Sequence, residues 1–152
     1  MLDAPAVTPS LSLSKDAFER LAEFRYRLRR FLRFSEEITR AHGVTALQYQ
    51  LLLQLRGYPG RDWASIAELA ERLQAQHHGV VALVSRCEAM GLVRRVASAS
   101  DKRQVEVHLT AAGVGMVETL AALHVAELGS LGAEFLVDLS DGAGLPRNTG
   151  GR

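Results

Sequence analysis

Cysteine is almost missing from the chain: Cys87 is the only one in 152 residues, so no disulfide can form within it. Such usage suits a reducing compartment, and the expectation is a cytoplasmic protein. No stretch approaches 18 uninterrupted apolar residues, so no membrane span is expected. The opening MLDAPAVTPSLSLSK has no basic segment followed by an apolar run, which argues against a secretory signal. A nucleophile–base pair, a glycine-rich phosphate loop and an inward carboxylate pair are also missing, so the sequence does not read as an enzyme.

One further absence is local. Residues 104–141 hold six acids and no lysine or arginine, whereas residues 72–103 carry six basic side chains against two acids, a net of +4. A chain whose overall charge is only +1 thus concentrates its positive charge in one middle segment, as a polyanion-binding surface requires. With 47% hydrophobic residues it can still bury the core of one domain.

The segment QAQHHGVVALVSRCEAMGLVRR, residues 74–95, brings His77, His78 and Cys87 together and raises the question of a metal site. Val80, Leu83, Val84 and Cys87 fall on one helical stripe. On a helix Cys87 then lies roughly 13–15 Å along the axis from the histidines, too far to share an ion bound at about 2.0–2.3 Å. His77 and His78 themselves diverge by about 100°. His42, His108 and His124 fall on separate elements, and no two histidines stand at i,i+4. Neither a metal nor a cofactor is expected, and Cys87 reads as a small buried hydrophobe.

Residues 1–14 read as a disordered lead-in. Phe18, Leu21, Phe24, Leu28, Phe31, Leu32 and Ile38 set the apolar stripe of a long helix over 15–40. Its other faces interleave arginines with Glu19, Glu23, Glu36 and Glu37, which favours ion pairs and a packed or partner-bound helix over a membrane surface. Thr45 with Gln48, and Ser65 with Glu68, have capping-box spacing and open two further helices. Leu47, Leu51, Leu52 and Leu55 face inward from the first, and Ile66, Leu69, Ala70 and Leu73 from the second. GYPGRDW between them reads as a turn cluster.

After the helix ended by Gly91 the period changes to two. Residues 92–97 and 104–109 flank SASDKR and predict a two-stranded antiparallel ribbon with a charged tip. Thr110 caps a long helix to about residue 131, with Val114, Val117, Leu120, Ala121, His124 and Leu128 on its stripe. A short apolar piece, AEFLVDL, and a glycine-rich tail over 141–152 follow.

The fold class expected is mainly α with a small β-hairpin wing (α+β): a winged helix-turn-helix over 43–110, flanked by helices at 15–42 and 111–140. B-DNA's major groove admits one helix, so the outward face of residues 76–86 is decisive. It presents Gln76, His77, His78, Val81, Ala82, Ser85 and Arg86, with no acid before Glu88. Gln76 suits adenine, histidine suits guanine or phosphate, and Val81 and Ala82 suit thymine methyls, although an isolated exposed valine needs no explanation. Gly79 sits badly in a helix interior, so either the helix begins later or backbone approaches DNA there. Ser65, at the start of the preceding helix, is a further candidate contact. Lys102 and Arg103 at the wing tip would reach the phosphate backbone or the minor groove, with Asp101 orienting Arg103 or pairing with Arg86.

ELAERL, a helix ending VSRCEAMGLVRR, and then SDKRQVEVHLTAAG together resemble the MarR family of bacterial winged-helix regulators. Asp101, Arg103, Leu109, Thr110 and Gly113 match that family's wing wording, and Gly91–Leu92 its helix-to-strand junction. The likeness covers about residues 18–130. It implies a homodimer whose first and last helices interlock, here through Phe18, Leu21, Phe24, Leu28, Val117, Leu120, His124 and Leu128. It implies two recognition helices in successive major grooves of a pseudo-palindromic operator, Arg103 in the minor groove, and repression of a neighbouring operon modulated by a small aromatic or acidic effector. Gly79, Val81 and Ala82 stand where the family often has polar residues, so no operator sequence carries over. The alternative is a winged-helix module that binds only protein.

Overall fold

The computed structural model describes residues 12–131. Most of the expected lead-in, the AEFLVDL piece and the tail lie outside the described residues.

The element order is α1 (Lys15–Ala41), α2 (Ala46–Arg56), β1 (Trp63–Ser65), α3 (Ile66–Leu73), α4 (His77–Ala89), β2 (Val93–Ala97), β3 (Val105–Leu109) and α5 (Ala111–Leu131). This is the winged helix-turn-helix expected, with one addition. β1 is a third strand: it pairs antiparallel with β3, placing Trp63 opposite His108 and Ser65 opposite Glu106, and the sheet runs β1-β3-β2. Three residues are too few to show a period of two, and Tyr58, Pro59 and Gly60 hid the strand among turn residues.

Both capping boxes form. Thr45 Oγ1 accepts the Gln48 N–H at 3.1 Å while Gln48 Oε1 accepts the Thr45 N–H at 2.9 Å. Ser65 and Glu68 repeat the exchange at the head of α3, and Arg61 pairs with the same carboxylate. Arg61 in turn lies 3.8 Å from the Trp63 ring centroid and 4.5 Å from that of Tyr58, fastening β1 to the start of α3.

One core joins the elements. Leu51, Leu52 and Leu55 of α2, Leu69 of α3, Val80, Val84 and Cys87 of α4, Val107 of β3, and Val117 and Leu120 of α5 are all essentially inaccessible. Burial of a Leu or Val side chain is worth roughly 1.5–3 kcal/mol, so these positions fix how α4 sits against the domain. Leu47, expected to face inward, is instead exposed: in the first turn of α2 it is Gln48 and Tyr49 that are buried.

The long terminal helices meet through His124, which is buried. Its Nδ1–H donates to the Leu120 carbonyl at 2.6 Å and its Nε2 is paired with Ser35 Oγ of α1 at 2.8 Å. The ring stacks on Tyr49 of α2 at 4.4 Å, with Phe31 and Phe34 edge-on. Three residues expected at a subunit interface, Val117, Leu120 and His124, are therefore corrected to the chain's own core. A helical stripe shows that a face is covered but not by what.

By length and composition, Ala111–Ser130 of α5 is apolar enough to cross a membrane, with a mean hydropathy of 1.3, contrary to the reading from uninterrupted runs. Glu118 and Glu127 interrupt the run. Glu118 is held by Arg56 of α2 at 3.2 Å, and the Val117–Leu120–His124 stripe packs in the core.

Candidate nucleic-acid interface

α4 turns the expected stripe inward: Val80, Leu83, Val84 and Cys87 are buried. Its outward face is thereby fixed, and Gln76, His77, His78, Val81, Ala82, Ser85 and Arg86 are all exposed. Gly79 lies in the first turn with nothing within 4 Å of where a side chain would begin, so it carries little of the mid-helix penalty. Gln76 is the N-cap yet makes no side-chain capping bond, leaving its amide exposed at the start of the helix.

Cys87 is confirmed as a core residue, and burial pushes its thiol up to about 11. His77, His78 and Cys87 form no shared site, since the two histidines are exposed at one end of α4 and the cysteine is buried near the other.

The wing tip is shaped locally. Ser98 is buried, and its Oγ accepts the N–H groups of Ser100 and Asp101. Asp101 Oδ1 accepts the Arg103 N–H at 3.0 Å, and Asp101 O accepts the Gln104 N–H at 3.0 Å. Asp101 thus orients Arg103 through its backbone and does not pair with Arg86. Lys102 and Arg103 are exposed beyond this turn.

The wing curls back toward the helix-turn-helix unit. Ser65, Ile66 and His77 share a cleft of about 290 Å³ with Arg103, Gln104 and Val105. Three candidate contacts that are distant in sequence, Ser65, His77 and Arg103, are therefore brought together. The Ser65 hydroxyl is occupied in capping α3, which limits what it can offer a ligand. A neighbouring groove of about 460 Å³ runs between α3 and α4 past Gln74, Gln76 and His77.

Sequence reasoning did not single out Arg95. Its side chain reaches from β2 across α4 to Glu88, Ser85 and Val81, so the one acid of the recognition helix is paired. The Arg95 backbone N–H, with its guanidinium, holds the Glu88 carboxyl below the usual carboxylate range despite some desolvation. The wing sequence announced a basic strand, but the reach of Arg95 exists only once β2 lies against α4.

Comparison with known proteins agrees with this geometry. The MarR family model matches residues 42–104. A Thauera aromatica protein assigned as a transcriptional regulatory protein for the hcr operon is 32% identical over 84 residues. That match covers 55% of this chain and 49% of the relative, so the chain spans about half the length of that protein. Among solved structures, AbsC of Streptomyces coelicolor, a MarR family transcriptional regulator, superposes with a TM-score of 0.70 at 24% identity, over 86% of this chain and 90% of AbsC. A mutant of S. aureus MepR bound to an oligodeoxyribonucleotide gives 0.62 at 22% identity, over 72% and 79%. The family match thus falls on the winged-helix core, residues 42–104, and the solved structures share the fold over most of the chain.

Proposed function

We propose that the chain is a sequence-specific double-stranded DNA-binding transcription regulator, acting as a repressor, and not an enzyme. The single observation that carries this is an exposed, acid-free face of α4 beside a cationic wing tip. Gln76, His78, Val81, Ala82 and Arg86 are exposed on one side of the helix, His77 at its start shares a cleft with Arg103 beside exposed Lys102, and the only carboxylate on α4, Glu88, is paired with Arg95. A helix face free of unpaired acid suits the major groove, and a cationic loop beside it suits the backbone or minor groove. That a MepR mutant of the same fold is seen with an oligodeoxyribonucleotide supports the reading.

Homodimerisation through α1 and α5 belongs to the same proposal. Phe18 is 54% exposed and Val125 67%, and Leu21, Leu32 and Leu128 are also exposed, an apolar surface on the two helices that a second copy would cover. Phe24 and Leu28 are half-buried beside it. The winged helix over 43–110 would then be carried in duplicate and read a pseudo-palindromic operator. Modulation by a small aromatic or acidic effector, and a cytoplasmic setting, rest on the family resemblance.

The test is a gel shift with the DNA upstream of the chain's own gene, at about 50 and 200 mM salt. Binding that weakens steeply over that range, and responds to candidate ligands, is the expected result. No binding to any upstream fragment at low ionic strength overturns the proposal.

A further inference from the structure

Arg95 joins the wing to the recognition helix with one side chain. Nη1 pairs with Glu88 Oε1 at 3.0 Å, while Nη2 donates to Ser85 Oγ at 2.8 Å and to the Val81 carbonyl at 3.2 Å. The backbone N–H of the same residue donates to Glu88 Oε2 at 2.8 Å. Positions 81, 85 and 88 follow i, i+4, i+7, so the guanidinium spans two turns along one stripe of α4. A planar fork with donors on separate nitrogens suits this arrangement, whereas an ammonium carries its three donors on one atom.

Two consequences follow for DNA reading. Ser85 Oγ donates to the Val81 carbonyl at 3.0 Å and accepts from Arg95, so the hydroxyl is engaged on both sides. Glu88 would repel phosphate if left alone, and it is held against Arg95 instead. The buried stripe seats α4 on the core, and the Arg95 contacts lie off that stripe and tie the helix to β2 as well.

We infer that Arg95 is a positioning residue for operator recognition: it fixes the rotation of α4 against the wing and withdraws Ser85 from base reading. His77, His78, Val81, Ala82 and Arg86 are left as the side chains that discriminate sequence. The inference rests on the DNA-binding reading above.

The test begins by enriching a duplex from a randomised pool of about 30 base pairs on the wild-type chain, enough for two half-sites one helical turn apart. Affinity for that duplex and for an unrelated one of equal length is then measured across a salt series for wild type, Arg95→Ala, Arg95→Lys and Ser85→Ala. Both Arg95 variants are expected to lose roughly tenfold or more in the ratio of the two affinities, about the worth of one base contact. Their slope of log affinity against log salt should match wild type, and Ser85→Ala should keep the ratio within about twofold. Amide exchange in α4 without DNA should quicken in Arg95→Ala, which reads the clamp independently of binding.

A slope reduced by about one makes Arg95 a phosphate contact and overturns the inference. So does an unchanged ratio in both Arg95 variants, or a collapse in Ser85→Ala. Should Arg95→Ala fail to fold, Arg95→Lys decides alone. If the wild-type chain enriches no duplex, the DNA-binding reading fails and this inference with it; enrichment with unaltered discrimination overturns the inference only.

Discussion

Gly113 and Leu92 meet backbone to backbone: a Cβ on Gly113 would lie 2.0 Å from the Leu92 carbonyl oxygen and 3.0 Å from its carbonyl carbon. The first turn of α5 thus sits directly on the segment that leaves the recognition helix, where Leu92 O also accepts the Thr110 N–H at 3.1 Å. Replacement of Gly113 by alanine is expected to destabilise the fold by about 1–3 kcal/mol or more, since neither backbone can yield. Thermal melting that leaves the midpoint within about 1 °C of wild type would contradict this contact.

Thr110 locks the same junction from the side chain. Its Oγ1 donates to the Gly91 carbonyl at 2.6 Å and accepts the Gly113 N–H at 3.1 Å. Thr110→Val keeps the shape and removes both bonds, and a loss of about 0.5–2 kcal/mol in denaturant unfolding is expected. Thr110→Ser should retain most of the stability; equal losses for both would assign the effect to packing.

Lys102 and Arg103 should act through phosphate. Alanine at either position is expected to weaken binding to specific and unrelated duplexes alike and to lower the salt slope by about one. Asp101→Ala should weaken binding without altering that slope, because the Asp101 carboxylate shapes the turn by accepting the Arg103 backbone N–H. A change in slope for Asp101→Ala alone would refute this division of labour.

Cys87 should be inert. With the thiol at about 11 and buried, roughly one molecule in a thousand carries a thiolate at pH 8. A thiol reagent should therefore react slowly with the native chain and stoichiometrically after denaturation. Rapid native reaction that also releases DNA would contradict the inert core role and make Cys87 a redox-responsive group.

Glu68 makes stability pH-dependent. Burial alone would raise its carboxyl, but the Ser65 N–H and the Arg61 guanidinium outweigh it and hold the group below its ordinary 4.5. A lowered folded-state value means the contribution is complete above about 4.5 and is lost as pH falls through that lower value. Unfolding measured from about pH 6 down to pH 3 should show a shallower decline for Glu68→Gln than for wild type. Parallel declines would show that the carboxylate carries no such linkage.

Much of the architecture was legible in the sequence because it is local. Capping boxes are decided by residues three apart, and the Val80–Leu83–Val84–Cys87 stripe by the pitch of one helix, so Thr45, Ser65 and α4 stand where their spacing puts them. The outward residues of α4 followed from the inward ones by elimination. β1 did not, because a three-residue strand has no periodicity of its own and exists only through pairing with β3.

Residue spacing settled the five helices and the two wing strands, most of their inward faces, and the concentration of positive charge near the wing, since each depends on residues within a few positions of one another. Tertiary structure alone decided which covered face is covered by what. It sent Val117, Leu120 and His124 into the chain's own core, left Phe18 and Val125 outside, laid Arg95 across α4, and gathered Ser65, His77 and Arg103 around one cleft. The physical reason is that amphipathicity and charge are properties of a segment, whereas a contact between segments depends on how the whole core closes.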